Sequence, residues 1–174
     1  MPTMTLLPDD TGTASSDWIA VGESTRHEAL ASDDDGTSYV KCDDNDEKMI
    51  IEFANPSVVE ADIDTIDSVR FLSSGKSAHR SNVTRCSFKY YVPSGNADQN
   101  AIYPAHRTDF TTINGTPRTT SDGSSAAWTY ANLEDLQMRC TLASTVEAYL
   151  SYFAVEVTYT EAVTANATFF GANF

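Results

Sequence analysis

The sequence predicts an all-β domain, an antiparallel β-sandwich or barrel with extended N- and C-terminal arms. Three observations carry this. First, Val155, Val157 and Tyr159 alternate with Glu156, Thr158 and Thr160, the period of a strand with one buried and one wet face. Second, turn signals recur at short intervals: Asp33-Asp34-Asp35-Gly36, Asn55-Pro56, Ser73-Ser74-Gly75, Pro93-Ser94-Gly95-Asn96 and Asn114-Gly115. Third, no amphipathic helical segment longer than about two turns is visible. Many short strands punctuated by turns make a sandwich or barrel, and the absence of an internal repeat argues against a propeller or β-helix.

Taken in order, residues 1–16 carry Pro2, Pro8 and several Thr and Ser around one apolar pair, Leu6-Leu7, and read as an extended arm too polar to form a core. Residues 17–160 form the sandwich. Its expected strands are 18–22, 29–31, 37–42, 48–54, 68–72, 83–92, 106–113, 136–142 and 146–160, with one helical turn over 132–136. Residues 161–174 are a second tail, small and polar until Phe169, Phe170 and Phe174. Phenylalanines gain about 1.5–3 kcal/mol each on burial, so these three fold back on the domain or dock on a neighbour.

A chain of 174 residues suits one domain. No apolar run approaches the roughly 20 residues of a membrane span, and residues 1–16 lack the basic and apolar regions of a secretory signal. Cys42, Cys86 and Cys140 are an odd, widely spaced set, read as buried free thiols rather than a disulfide framework or zinc site. The net charge of −14 lies within residues 1–67, where 17 acids face only Arg26, Lys41 and Lys48. Residues 68–97 hold Arg70, Lys76, Arg80, Arg85 and Lys89 and no acid. Such polarity steers oriented association with neighbours and keeps nucleic acid away; solubility alone is the plainer account. Arg80 and Arg85 are the candidate partner contacts of this basic stretch, with Leu6, Leu7, Phe169, Phe170 and Phe174 in the tails.

Reactive constellations are absent from the pattern. The acidic runs at 33–35 and 43–47 lack EF-hand spacing and read as solvated turns rather than calcium sites. His27, His79 and His106 offer no metal-binding pair, and there is no nucleophile elbow or phosphate loop. Sandwiches of this type can host glycosidases, which need two facing carboxylates roughly 5–10 Å apart. The acids on expected strands, Glu52, Glu147 and Glu156, show no such pairing. No catalytic residue, metal or cofactor is therefore expected. Tyr90-Tyr91, Tyr103 and Trp128 offer flat rings to a sugar, against the default of core packing. Three sequons, at Asn82, Asn114 and Asn166, read as chance matches.

An ordered set of landmarks runs through residues 17–160. It comprises Trp18, then Asp33-Asp34-Asp35-Gly36-Thr37-Ser38-Tyr39-Val40, an apolar strand ending near Pro56, and Ile66-Asp67-Ser68-Val69-Arg70. It continues with Thr116-Pro117-Arg118, Gly123 to Trp128-Thr129, Leu133-x-x-Leu136-Gln137 and the strand from Tyr152 to Tyr159. This order resembles a group of tailed-bacteriophage virion proteins with a jelly-roll, concanavalin-like sandwich, among them capsid decoration and tail-associated proteins. The resemblance implies a non-enzymatic virion protein on the capsid surface, capping junctions of the major capsid protein and copies of itself, with a trimer as the family habit. The alternative it implies is a tail fibre, tail or baseplate component engaging a host glycan. Neither role involves nucleic acid or membrane.

Overall fold

The computed structural model describes residues 1–14, 17–44, 47–77, 86–92, 95–99, 109–121, 126–142 and 147–163. Two antiparallel sheets form the sandwich. The first holds β1 (Thr3–Leu6), β3 (Ile19–Val21), β4 (Tyr39–Cys42), β6 (Ile63–Ser77), β9 (Thr111–Asn114) and β11 (Ala148–Glu161), in the order β3-β4-β11-β6-β9. β1 lies beside β4 on the same flank of β11, which pairs with β4 through Ala148–Leu150 and with β1 through Val155–Thr158. The second sheet holds β2 (Pro8–Ala14), β5 (Lys48–Phe53), β7 (Cys86–Val92), β8 (Gly95–Gln99) and β10 (Gln137–Leu142), in the order β2-β5-β10-β7-β8.

The alternation predicted for β11 is the alternation found. Val155, Val157 and Tyr159 are buried, Glu156 and Thr158 are half-buried, and Thr160 is exposed. A bulge between Leu150 and Tyr152 resets the register. Inward residues therefore run Ala148, Leu150, then Phe153, Val155 and Val157, while Tyr149 and Tyr152 both face outward. Facing them across the core are Met49, Ile51, Met138, Cys140 and Leu142 of the second sheet. Phe53 stacks on Phe71 at 6.1 Å to join the layers. Cys42 and Cys140 are buried and outside any disulfide, as their spacing predicts.

Two expectations change. Residues 1–14 are no arm outside the sandwich: β1 pairs with β11 and β2 with β5, so the chain crosses between sheets at Leu7. Met4 and Leu6 point inward and are 6% and 2% exposed, so Leu6 is a core residue and only Leu7, at 40%, meets solvent. The physical reason is a short period-2 pattern, Met4-x-Leu6, which suffices when a long strand offers a free flank. The expected strand 29–31 is instead the end of a helix, α1 (Arg26–Leu30). Thr25 and Glu28 cap it reciprocally, the Thr25 hydroxyl accepting from Glu28 N while the Glu28 carboxylate accepts from Thr25 N. The Ser24 and Thr25 hydroxyls also donate to Glu28, which holds its carboxyl below the ordinary range. A second short helix, α2 (Tyr130–Glu134), capped by Thr129, is the turn expected just downstream. Arg80, Arg85, Tyr103, His79, His106, Phe169, Phe170 and Phe174 lie outside the described residues.

Candidate functional site

Four strands meet at one end of the first sheet. Cys42 of β4 and Ser77 of β6 both pair with Ala148 of β11, and Gly75 pairs with Thr111 of β9. Because Val40, Cys42, Ala148 and Leu150 fill the inward positions, the residues between them face out: Tyr39, Lys41 and Tyr149. Phe110, just before β9, joins them. Tyr39 meets Tyr149 edge-on at 5.5 Å and Phe110 at 6.2 Å, so three half-buried rings form a continuous apolar platform.

Charge is interleaved with the rings. The Lys76 ammonium sits 4.5 Å from the Phe110 centroid and 5.2 Å from that of Tyr149, a double cation–π contact. Among the described residues it has no carboxylate within ion-pair distance. Lys41 instead pairs with Glu147 at 3.3 Å, and Glu147 also accepts the Tyr149 hydroxyl. That hydrogen bond, helped by burial and the negative charge of Glu147, pushes the Tyr149 phenol up to about 12. Tyr152, next along the outer face, is raised by burial and by the charge of Asp33.

A loop over 33–38 holds the platform's rim. Asp35 and Gly36 both take left-handed backbone, with φ of 56° and 81°. A Cβ on Gly36 would lie 2.1 Å from Phe110 Cε2, so glycine is needed both for its conformation and for the approach of the ring. Asp34 anchors the loop by accepting from Ser38 N at 3.0 Å and from Ser38 Oγ at 2.7 Å. Partial burial works against its charged form, but the hydrogen bonds from Ser38, Gly36 and Thr37 outweigh this and hold the carboxyl below its ordinary value. Asp33 accepts from Thr112 Oγ1 at 3.1 Å. Asp34 thus serves the loop and Asp33 ties it to β9, and among the described residues no group of three or more candidate ligands could hold a metal ion.

The candidate residues of the sequence fare differently. Glu147 joins the platform. Glu156 is ion-paired to Arg70 further along β11, at 2.8 Å, and Glu52 sits in the other sheet, accepting from Gln137 Nε2 at 2.9 Å. The structure engages these three acids separately instead of opposing them across a cleft. Trp128 is a core residue, 5% exposed, its indole N–H donating to Arg118 O at 2.9 Å, so it offers no face to a sugar. Tyr39, Lys76, Phe110 and Tyr149 were not singled out for binding by sequence. The signal available was parity: Tyr39-x-Lys41 and Tyr149 occupy outward positions of strands whose inward positions are plainly apolar.

Beside the platform, across β3, a cleft of about 490 Å³ is lined by Asp10, Thr11, Trp18, Ile19, Ala20, Ser24, Thr25, Arg26 and His27. Against the second sheet, Asp9, Asp10, Glu52, Glu134 and Asp135 crowd a smaller one of about 220 Å³.

No family model matches the chain, and no curated protein matches it in sequence. Among solved structures, the chain is similar to the C-terminal family 6 carbohydrate-binding module of LamC, a marine laminarinase from Zobellia galactanivorans. The likeness covers 90% of this chain and 100% of that one, with a TM-score of 0.50 and 11% sequence identity. At that identity it establishes the fold alone: this chain is an antiparallel β-sandwich similar to that module in architecture.

Proposed function

We propose that this protein is a non-catalytic glycan-binding sandwich that presents the Tyr39–Tyr149–Phe110 platform to its ligand. The observation that carries the reading is the set of three half-buried rings on the outer face, interleaved with Lys76, Lys41 and Glu147. Flat rings suit the C–H faces of a pyranose, and flanking ammonium and carboxylate groups suit its hydroxyls. Similarity of fold to a carbohydrate-binding module is consistent with the reading and does not by itself assign a ligand. Affinity electrophoresis against a panel of plant, algal and bacterial polysaccharides tests it. Tyr149→Ala is expected to weaken binding ~10–100-fold, the scale of losing one buried aromatic contact. Glu156→Ala, on the same strand beyond the rings, is expected to leave it unchanged. A full panel without retardation would overturn the proposal.

The virion setting is a second reading, supported by the ordered landmarks of residues 17–160. Within it, a tail-associated role that touches a host glycan now has more support than capsid decoration. The decoration argument leaned on an N-terminal arm reaching across the major capsid protein, and Thr3–Leu6 and Pro8–Ala14 pair within their own sandwich. Leu7, Arg80, Arg85, Phe169, Phe170 and Phe174 stay the proposed partner contacts, to capsid or to copies of the chain. Immunogold labelling of particles, on shell or on tail, separates the two positions.

A further inference from the structure

Apolar side chains left in water gather at the end of the first sheet where β6 begins and β11 ends. Among the described residues five large hydrophobic side chains are exposed, and three of them, Met1, Val59 and Val163, stand at this end. Backbone bonds hold their segments there. Asp62 N donates to Val59 O across the 3₁₀ turn Glu60–Asp62, Ala162 N donates to Asp62 O, and Pro2 O accepts from Tyr159 N. Single apolar residues scattered on a surface mean little, whereas a group of them beside a cleft marks a contact surface.

The cleft lies between the start of β6 and the segment leading into α2. Ile63, Ile66, Ala127, Trp128 and Tyr130 give it apolar walls. Ile66 and Trp128 form a bridge and belong to the core, so the core reaches the cleft wall here. Tyr130 is pinned by its hydroxyl, which donates to Val58 O at 3.1 Å. The volume, about 340 Å³, is at the small end of ligand pockets and suits the side chains of a peptide segment.

Charge and reach decide which segment fits. The charged groups at the cleft are the acids Glu60 and Asp64, with Asp62 and Glu161 close by. They repel an acidic segment and leave an uncharged aromatic one alone. Residues 164–174 lie outside the described residues; their sequence contains no charged side chain and carries Phe169, Phe170 and Phe174. Glu161 pairs with Ile63, a wall residue, so the chain leaves β11 at the mouth of the cleft. Phe169 follows Val163 by six residues, a reach of roughly 20 Å when extended. A tether that short holds its end at an effective concentration in the millimolar range, enough to keep a weak contact closed.

We propose that Phe169-Phe170 docks in this cleft of its own chain, covering Val59, Ile63 and the edge of Trp128. In the virion reading the same phenylalanines are partner contacts, and the cleft keeps them covered until a partner competes for them. The closure depends on neither that reading nor the glycan platform.

The two tryptophans provide the test, Trp128 in the cleft wall and Trp18 in the core away from it. In a ¹⁵N-correlated spectrum of the full chain, Phe169→Ala combined with Phe170→Ala is expected to shift the Trp128 indole peak, through loss of neighbouring ring currents. The Trp18 peak is expected to stay in place. A peptide of residues 164–174, added to this double variant, is expected to return the Trp128 peak saturably toward its original position. The same peptide is expected to bind the unaltered chain at least ~10-fold more weakly, because the tethered segment already holds the cleft. On dilution the Trp128 peak of the unaltered chain is expected to keep its position. A Trp128 peak unmoved in the double variant, or one that the peptide fails to restore, would overturn the docking. A position that changes with protein concentration would put a second copy's segment in the cleft and overturn closure within one chain.

Discussion

The two ends of the outer face of the first sheet share strands β6 and β11 and yet finish differently. Toward the end of β11, Arg70 and Glu156 sit directly opposite one another and form a two-pronged ion pair, and Asp67 accepts from Thr160. Toward its start, Lys41 and Glu147 form a comparable pair of similar exposure, but three rings and the cation–π-bound Lys76 are added. Exposed ion pairs contribute about 0–1 kcal/mol and are no guide to function. What separates the ends is apolar ring area left half in water beside a cation that has no carboxylate partner among the described residues. One end is finished within the chain, and the other has capacity left over.

The largest expected effect removes the strand both ends share. Val157→Asp puts a charge into the apolar layer and is expected to cost about 3–5 kcal/mol of unfolding free energy, against within about 1 kcal/mol for Thr158→Asp. Urea unfolding of both variants measures this, and equal losses would show that β11 does not divide core from surface as described. Next, Gly36→Ala acts on the ring end only. It places a methyl group against Phe110 and a side chain in left-handed backbone, with an expected cost of about 1–3 kcal/mol and weaker polysaccharide binding. Unaltered binding would detach the rim loop from the platform.

Smaller and pH-dependent is Asp34→Ala, expected to lower stability by about 1 kcal/mol at neutral pH through the lost bonds to Ser38. The folded protein holds this carboxyl below its ordinary 3.8, so the charged form's contribution is present above that value. It is lost as pH falls through the lower folded value, and the gap between the two proteins is expected to narrow there. Thermal melts across acidic pH check the sign. The smallest effect is spectroscopic. Tyr149→Phe is expected to remove a phenol ionisation near pH 12. The Tyr149 contribution to stability is full below about 10 and fades as pH rises toward 12. Ultraviolet titration follows it.

How far the sequence reaches is clearest in β11 and β1. The inward valines of β11 repeat often enough to fix the register, and they are where they were expected. β1 offers just two inward residues, Met4 and Leu6, within a Pro- and Thr-rich stretch, and four residues carry too little pattern to outweigh that composition. α1 was legible in principle from Thr25-x-x-Glu28, but Ala29 and Leu30, buried on one side, read equally well as a short strand. The platform was not legible as a unit, since its rings are contributed by residues 39, 110 and 149 and only the sheet order brings them together. Parity marks each ring as outward; nothing local marks them as neighbours.

The pairing of Thr3–Leu6 with Val155–Thr158 also has a consequence in time. The flank that receives β1 does not exist until Val155–Thr158, about 150 residues further along the sequence, have been made. β1 therefore waits, and the sandwich closes through a contact spanning about 150 residues of sequence. Contacts of such separation slow folding, to milliseconds or seconds in domains of this class. Until closure, the apolar slot for Met4 and Leu6 stands open beside an unpaired strand edge, the kind of surface that invites aggregation. Refolding yield and rate should then depend on the first six residues more steeply than their share of the core suggests.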